Sequence, residues 1–236
     1  GEQLSMYEAL VRESLSRIRG SEGITRQGLV IQLLTSLKQI ANHPDHFLKE
    51  RHGPLAGRSG KLDAAAQLVT SAVGGSERVI VFSQYVEMCR LLRRRFGELG
   101  VDSEILYGGL SSGARDELVE RFQSGDLEVL VLSLRAGGTG LNLTAATQVI
   151  HFDRWWNPAV EDQATDRAWR IGQTKPVVVH RLIAEGTIDE RIAEMIERKR
   201  SLADSVVGGG ETWIADLDDD ALAQLVTLRS GAAHFN

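Results

Sequence analysis

The sequence has little of several things, and each shortage excludes a class of protein. Cys89 is the only cysteine among 236 residues, so a disulfide framework is impossible and a zinc site of paired cysteines is excluded. No apolar run reaches the roughly 20 residues that a membrane-spanning helix needs, and no secretory signal opens the chain. These shortages predict a cytosolic protein, not a secreted one, with neither a metal site nor a membrane partner.

Two motifs of nucleotide hydrolysis are also missing. A phosphate loop of the form Gly-x-x-x-x-Gly-Lys-[Ser/Thr] around Lys61 would need glycine at position 55 and a hydroxyl at position 62, where leucines stand. No Asp-Glu-x-His sequence for magnesium and water activation occurs. A dinucleotide fingerprint fails as well, because Gly138-Thr139-Gly140 lacks the third glycine of that motif. The chain alone is therefore expected not to hydrolyse ATP.

The chain also lacks an excess of positive charge. The formal net charge is −5, which argues against simple attraction of the whole chain to nucleic acid. Residues 208–236 hold five carboxylates and one arginine, so the rest of the chain is nearly neutral. Contacts with nucleic acid are therefore expected to be local.

Short apolar runs alternate with helical patterns from residue 77 onward. This alternation predicts a parallel sheet with helices on both faces, an α/β fold joined by right-handed crossovers. The predicted strands are 79–82, 104–107, 129–132, 149–152 and 177–182. The predicted helices between and after them are 85–97, 111–122, 187–202 and one that begins at Pro158.

The two ends of the chain have a different pattern. Helices are predicted for 3–19 and 24–42, followed by a polar linker from Lys49 to Gly60. Gly208-Gly209-Gly210 predicts a hinge before a short acidic helix near 218–228, which is either a packed brace or a mobile docking segment. The chain thus divides into a helical protrusion (1–54), the α/β domain (55–205) and a hinge with an acidic tail (206–236).

Polar and glycine-rich residues follow the predicted strands. In open parallel sheets, ligands bind at the carboxyl ends of the strands. The residues expected at that edge are Ser83, Gln84, Gly108, Gly109, 133–140 and 153–156. Glycines 137, 138 and 140 would let backbone amides approach a phosphate and form an anion nest.

A pair of arginines follows Pro158. On a continuous helix Gln163, Arg167 and Arg170 would share one face. Two adjacent guanidiniums repel each other and suit phosphate oxygens. The alternative is a solvated helix face on which the arginines pair with Glu161, Asp162 and Asp166.

Two adjacent tryptophans occupy a predicted loop. Trp155 and Trp156 precede Asn157-Pro158. An exposed pair would be unusual for a plain surface, so Trp156 is either a core anchor or a residue that inserts into DNA.

Several longer sequences occur in register with a known family. Residues 136–143 read Ala-Gly-Gly-Thr-Gly-Leu-Asn-Leu, residues 156–158 read Trp-Asn-Pro, and residues 163–173 read Gln-Ala-Thr-Asp-Arg-Ala-Trp-Arg-Ile-Gly-Gln. Residues 41–44 read Ala-Asn-His-Pro, with alanine where cysteine is usual. Over about residues 30–195, the chain resembles the Swi/Snf family of DNA-dependent ATPases in helicase superfamily two.

The resemblance implies the second RecA-like lobe of an ATP-dependent double-stranded DNA translocase or remodeller, with a helical protrusion. It implies that ATP and Mg²⁺ are bound mainly by a first lobe outside this chain, which would be a partner beside duplex DNA and a protein target. By motif position, it implies catalytic roles for Gln163, Arg167 and Arg170, nucleotide contacts for Gly138, Gly140 and Asn142, and DNA contacts for Ser83, Gln84, Gly108, Ser133, Arg135, Thr139 and Trp156. It also favours the interpretation in which Trp156 inserts into DNA, and it implies a cytoplasmic, nucleoid-associated or nuclear location.

Two other functions remain open at this point. The chain could serve mainly as a regulatory or partner-binding lobe, through its helical pair and acidic tail. It could also be part of a strand-separating helicase of the same superfamily, although Asn42-His43-Pro44 and Arg170-Ile171-Gly172-Gln173 argue against that.

Overall fold

The structure is a computed structural model, and it describes residues 1–50, 52–133, 141–170, 172–201 and 212–229. Among these residues no helix combines the length and the apolar character that crossing a membrane requires. The helices and strands are, in chain order, α1 Glu2–Arg19, α2 Gly23–Asn42, α3 Pro44–Leu48, α4 Gly60–Gly74, β1 Val79–Ser83, α5 Val86–Glu98, β2 Ser103–Leu106, α6 Ser112–Ser124, β3 Val129–Ser133, β4 Gln148–His151, α7 Pro158–Thr165, β5 Val178–Arg181, α8 Ile188–Ser201, α9 Thr212–Ala215 and α10 Asp219–Val226.

The five strands of the described chain form one parallel sheet in the order β2-β3-β1-β4-β5. Strands β1 and β3 are buried along their whole length, as their continuous apolar sequences predict. Register pairs Ser83 with Ser133 and Phe82 with His151, so the carboxyl ends of β1, β3 and β4 lie side by side. The predicted α/β fold with a parallel sheet is confirmed.

Local sequence explains why the helices beside the sheet begin and end where they do. The Ser111 hydroxyl accepts a hydrogen bond from the Ala114 backbone N–H and caps α6, and Gly125 ends that helix with φ of 105°. A side chain at position 125 would also meet the Arg78 guanidinium, at 2.1 Å from an added Cβ. The apolar side chains beneath form a continuous core that includes Phe82, Phe122 and Leu132.

The chain divides into two compact units that differ from the predicted segments. The helical unit contains residues 1–60, 156–158 and the described part of 183–236, and the sheet unit contains residues 61–155 and 159–182. Helix α8 thus belongs with the two ends of the chain. The sequence-based segments 1–54, 55–205 and 206–236 describe motif order along the chain, and they stay a prediction.

The helical unit has its own core, built from both ends of the chain. Apolar side chains of α1, α2, α8 and α10 pack together there, among them Leu33, Ile192 and Leu222. The buried Tyr7 hydroxyl accepts a hydrogen bond from the Ile188 backbone N–H at 3.0 Å, across 181 positions of sequence. Burial raises the pKa of Tyr7. The predicted helices 3–19, 24–42 and 187–202 are confirmed to within two residues.

The acidic tail is packed where the structure describes it. Asp218 caps α10, and Arg26 of α2 donates a hydrogen bond to Asp219 at 2.8 Å. Arg229 pairs with Glu194 of α8 at 2.6 Å. Of the two interpretations of the acidic helix, the packed brace is the one observed, and the glycines of the predicted hinge lie outside the described residues.

The predicted linker is more ordered than its composition indicates. Leu55 and Ser59 are buried, and Arg58 forms ion pairs with Glu2 and Asp45. His43 accepts a hydrogen bond from the Asp45 backbone N–H through Nδ1 and so caps α3. Helices α3 and α4, which lie on either side of this stretch, were not predicted from the sequence.

Candidate functional site

A buried carboxylate organises the loop between β1 and α5. Asp153 follows β4 and accepts hydrogen bonds from the Ser83 hydroxyl at 2.5 Å and from the Gln84 backbone N–H at 3.0 Å. The Gln84 side chain donates to the Arg154 carbonyl at 2.7 Å. Ser83 is fully buried, so its hydroxyl holds β1 to the segment after β4 and does not face solvent.

A second buried carboxylate joins α7 to the same segment. Glu161 accepts two hydrogen bonds from the Arg154 guanidinium, at 2.8 and 3.1 Å, and one from the Trp155 backbone N–H at 3.0 Å. Arg181 of β5 lies 3.6 Å from the same carboxylate. Burial alone would raise the pKa of Glu161, but the hydrogen bonds from Arg154 and Trp155 outweigh it and leave the pKa lowered. This bidentate pair fixes the first turn of α7.

Helix α7 is shorter than predicted. It ends at Thr165, and residues 166–170 form turns, so Gln163 lies on the helix while Arg167 and Arg170 follow it. The Arg167 carbonyl, which a continuous helix would use within itself, accepts the Leu143 backbone N–H at 2.9 Å. The prediction that these three residues share the face of one helix is therefore wrong.

The two arginines nevertheless lie within electrostatic reach of each other. Burial, and then the neighbouring guanidinium of Arg170, lower the pKa of Arg167. Arg170 is exposed, and its Nε donates to the Asp166 backbone carbonyl at 3.1 Å. Glu161, one of the carboxylates proposed above to neutralise them, pairs with Arg154 and Arg181 instead. The turn at residues 166–170 thus holds two arginines beside Asp166, and a pair of guanidiniums suits an anion.

Trp169 stands between the two arginines and projects into solvent. Its side chain is 60 % exposed, and among the Phe, Tyr and Trp side chains of the described chain it is the only one in the exposed class. The adjacent Ala168 is fully buried. The sequence pattern singled out Trp155 and Trp156, whereas the exposed ring is that of Trp169.

Trp156 packs within the core of the helical unit. It is 8 % exposed, and the buried Lys38 ammonium lies 5.6 Å from the centre of its ring. The interpretation in which Trp156 inserts into DNA does not match this position, because the ring packs beside α2 and is part of the core. The alternative interpretation, a core anchor, describes its position.

Gln173 holds the end of this motif to the loop before β4. Its side-chain amide donates to the carbonyls of Thr144 and Ala146, both at 2.9 Å. A weaker contact at 3.4 Å reaches the Ala168 carbonyl. One glutamine thus joins two segments that are separated in sequence. These contacts restrict the position of the turn at residues 166–170, called the arginine turn below.

His151 ends β4 behind α7. The Thr165 hydroxyl donates to the Glu161 carbonyl at 3.1 Å, so the contact of 2.9 Å between His151 Nε2 and Thr165 Oγ1 requires an Nε2–H tautomer. Nδ1 is buried and has no hydrogen-bond partner among the described residues. Burial accordingly lowers the pKa of His151 to about 4, and the ring is neutral at pH 7.

The remaining predicted site residues fall into two groups. Gly108 and Asn142 are exposed, whereas Ser133 is buried at the end of β3 beside Ser83. Arg135, Gly138, Thr139 and Gly140 lie outside the described residues.

Sequence reasoning placed Asp153 and Arg154 at the edge of the sheet but did not predict that they and Gln173 orient the site. Their contacts depend on partners distant in sequence, such as Ser83 for Asp153 and Thr144 for Gln173, which no local pattern indicates. The available signal was the pair of apolar strands β1 and β4, whose carboxyl ends lie side by side. Within the described residues, no group of three or more His, Cys, Asp or Glu side chains lies together as a metal site.

Comparison with known proteins identifies related sequences. The helicase conserved C-terminal domain matches residues 60–172. The chain is 47 % identical, over 98 % of its length, to YwqA of Bacillus subtilis. YwqA is described, provisionally, as an ATP-dependent helicase/translocase. The mouse SWI/SNF-related regulator of chromatin, subfamily A member 1, is 33 % identical over 98 %. The chain spans about a quarter of each relative, at 25 % and 23 % of their lengths.

Solved structures extend the likeness to three dimensions. The Sulfolobus solfataricus SWI2/SNF2 ATPase core in complex with dsDNA is 38 % identical with a TM-score of 0.85, over 98 % of this chain and 48 % of that one. The C-terminal domain of the Sulfolobus SWI2/SNF2 ATPase is 35 % identical with a TM-score of 0.81, over 97 % of this chain and 94 % of that one. A parallel sheet, an arginine pair on the turn after α7 and near-complete overlap with that domain lead to one conclusion: the chain belongs to the Swi2/Snf2 ATPase family and has its RecA-like C-terminal helicase domain.

Proposed function

We propose that this chain is the second motor lobe of an ATP-dependent double-stranded DNA translocase or remodeller, in which Arg167 and Arg170 are arginine fingers. The observation that carries the proposal is the pair of neighbouring arginines on the turn after α7. There the Arg167 guanidinium is half-buried, and its pKa is lowered by burial and by Arg170. A fold gains little from holding two like charges together unless an anion binds them.

The geometry suits the terminal phosphates of a nucleotide. ATP supplies a phosphoryl group whose oxygens gain negative charge during transfer. Arg170 would donate its planar fork of N–H groups to those oxygens, and Arg167 would act from a more fixed, half-buried position. Gln163 is exposed on α7 and would orient the phosphate from the preceding turn.

A first lobe outside this chain would complete the nucleotide site. The sequence contains neither a phosphate loop nor an Asp-Glu-x-His motif, so binding of the inner phosphates and of Mg²⁺ would fall to that lobe. Gly138, Gly140 and Asn142 would add nucleotide contacts from this one. On this proposal the isolated chain shows negligible ATP turnover, far below the roughly 10 per second of a median enzyme.

Duplex DNA is the proposed track, since a similar ATPase core is known in complex with dsDNA. Gln84, Gly108, Arg135 and Thr139 remain proposed DNA contacts, made mainly to the phosphate backbone. We do not retain the side chains of Ser83, Ser133 and Trp156 in that role, because they are buried.

The test is steady-state ATPase activity of the full-length protein with saturating duplex DNA. Arg170→Ala should reduce turnover by about 10³-fold or more, as removal of an arginine finger does. Arg170→Lys should rescue poorly, because one ammonium cannot span two phosphate oxygens. Arg90→Ala is the matched control, since that exposed arginine only pairs with Glu87 on α5.

Melting curves of each variant accompany the kinetics and show that the lobe stays folded. Near-normal turnover in a well-folded Arg170→Ala protein would remove Arg170 from the active site. A loss of similar size in Arg90→Ala would show that the assay reports general loss of arginine charge.

A further inference from the structure

Trp169 is the exposed aromatic ring that the proposed function leaves without a role. Its backbone is firmly placed, because the Trp169 N–H donates to the Thr165 carbonyl at 3.2 Å and the preceding Ala168 is fully buried. On the other side of the turn, the Arg167 carbonyl accepts from Leu143. The turn is fixed from within, while the largest aromatic side chain faces solvent.

The neighbours of this ring give it a chemical context. Arg170 follows it directly and is also exposed, and Arg167 lies two residues before it. An aromatic face beside paired guanidiniums combines the two groups that bind nucleotides, since bases stack on aromatic rings and phosphates pair with guanidiniums. A nucleobase carries a π-face, so stacking needs no hydrogen-bond partner from the ring.

We propose that Trp169 is a stacking platform for the purine base of the same nucleoside triphosphate whose terminal phosphates contact Arg170. The proposal rests on the proposed function, because the arginines define where the triphosphate lies. It assigns to this lobe a part in base recognition, besides its contact with the phosphates.

Two other occupants of the ring are weaker candidates. A DNA base would have to be turned out of the duplex to reach a tryptophan beside the fingers, which costs unstacking energy that phosphate-directed binding avoids. An apolar patch on a protein partner would require further exposed apolar neighbours. The residues next to Trp169 in sequence are instead a fully buried alanine and a charged arginine.

The experiment measures equilibrium binding to the full-length protein with three probes: a non-hydrolysable ATP analogue, the corresponding CTP analogue and inorganic tripolyphosphate. Trp169→Ala should weaken the ATP analogue by about tenfold, the size of one lost base–aromatic stack. Trp169→Phe should keep most of the affinity. Tripolyphosphate should bind all three proteins alike, and the preference for ATP over CTP should shrink in Trp169→Ala.

The matched control is Val178→Ala, another exposed apolar side chain of the same unit, which should change none of these affinities. Unchanged affinity of Trp169→Ala for the ATP analogue overturns the proposal. So does an equal loss for tripolyphosphate, which would indicate a displaced arginine turn, and so does a loss of duplex DNA affinity with nucleotide affinity intact.

Failure of this inference is distinguishable from failure of the proposed function. If Trp169 has no part in base binding, the three affinities stay unchanged in Trp169→Ala while Arg170→Ala still abolishes turnover. If the arginines are not fingers, Arg170→Ala retains turnover whatever the probes show for Trp169.

Discussion

Glu161 carries the most consequential buried charge at the scale of single residues. It is fully buried and holds Arg154, itself only 4 % exposed, in a bidentate pair. Removal of one partner of such a pair leaves the other as a buried charge without compensation. The cost of a variant therefore depends on what remains at the site, more than on the strength of the pair itself.

Glu161→Ala should lower the free energy of unfolding by about 3–5 kcal/mol, the range for a broken buried ion pair. The double variant Arg154→Met with Glu161→Leu should lose much less, because no charge stays buried. Urea denaturation of each protein is the measurement. Glu185→Ala, at an exposed glutamate, is the control and should stay within about 0.5 kcal/mol of wild type. A Glu161→Ala protein as stable as this control would contradict the buried-pair argument.

His151 predicts a pH dependence of stability. The unfolded chain takes up this proton below its ordinary pKa of 6.5, whereas the folded chain does so only near a pKa of about 4. Between those values the unfolded state binds more protons, so stability falls as pH falls from about 6.5 to about 4, by about 3 kcal/mol, and this contribution is constant at lower pH.

His151→Gln should flatten that slope in urea denaturation repeated at several pH values. His43 is also buried with a lowered pKa, so part of the slope should remain. His52→Gln, at an exposed position, is the control and should leave the profile unchanged. An unaltered slope in His151→Gln would show that another group carries the dependence.

The sequence alone predicted the functional position of some residues and not of others. Arg167 and Arg170 were identified because their spacing is unusual without an anion. Trp155 and Trp156 drew attention as a pair, yet the exposed ring is Trp169. Exposure of a tryptophan depends on which neighbours fold over it, and no local pattern contains that information.

At the scale of elements, caps explain which boundaries could be predicted. Helix α6 begins after a serine that accepts a backbone N–H and ends at a left-handed glycine, so its ends are local. Beyond helix α7, by contrast, the Arg167 carbonyl pairs with the distant Leu143 N–H, a contact that no local pattern indicates. Helix α4 was not predicted, although its buried residues Leu62, Ala65, Ala66 and Val69 recur at helical spacing. Predictions were right where short-range hydrogen bonds decide the structure.

A substitution at Gln173 tests whether its hydrogen bonds hold the arginine turn in place. Gln173→Glu keeps the shape but replaces the amide donor that serves Thr144 and Ala146, so two carbonyls lose their partner. The free energy of unfolding should fall by about 1–3 kcal/mol. Amide hydrogen exchange at Leu143, whose N–H pairs with Arg167, should also accelerate. Gln163→Glu, exposed on α7, is the control for stability, and equal stability of the two variants would contradict the argument.

At the scale of the whole molecule, charge predicts how the chain meets DNA. With a net charge of −5, the proposed binding of DNA would depend on local cationic groups and not on the charge of the whole chain. Binding to duplex DNA should therefore be weak, independent of sequence and strongly reduced by salt, because each phosphate contact releases counterions. Fluorescence anisotropy with two unrelated duplexes, each at about 50 and 200 mM salt, tests this. A marked preference for one sequence, or an affinity unchanged by salt, would contradict it.

The core of the helical unit combines residues that are synthesised at different times. Its core joins Tyr7 and Leu33 to Ile188 and Leu222, so residues 1–60 leave the ribosome about 120 residues before their partners from 183 onward. At ordinary translation rates of 5–20 residues per second, that delay is on the order of 10 s. During it, the apolar faces of α1 and α2 have no α8 or α10 to cover them and are a natural target for chaperones that bind nascent chains. The first two helices of this chain therefore wait for α8 and α10 before their packing is complete.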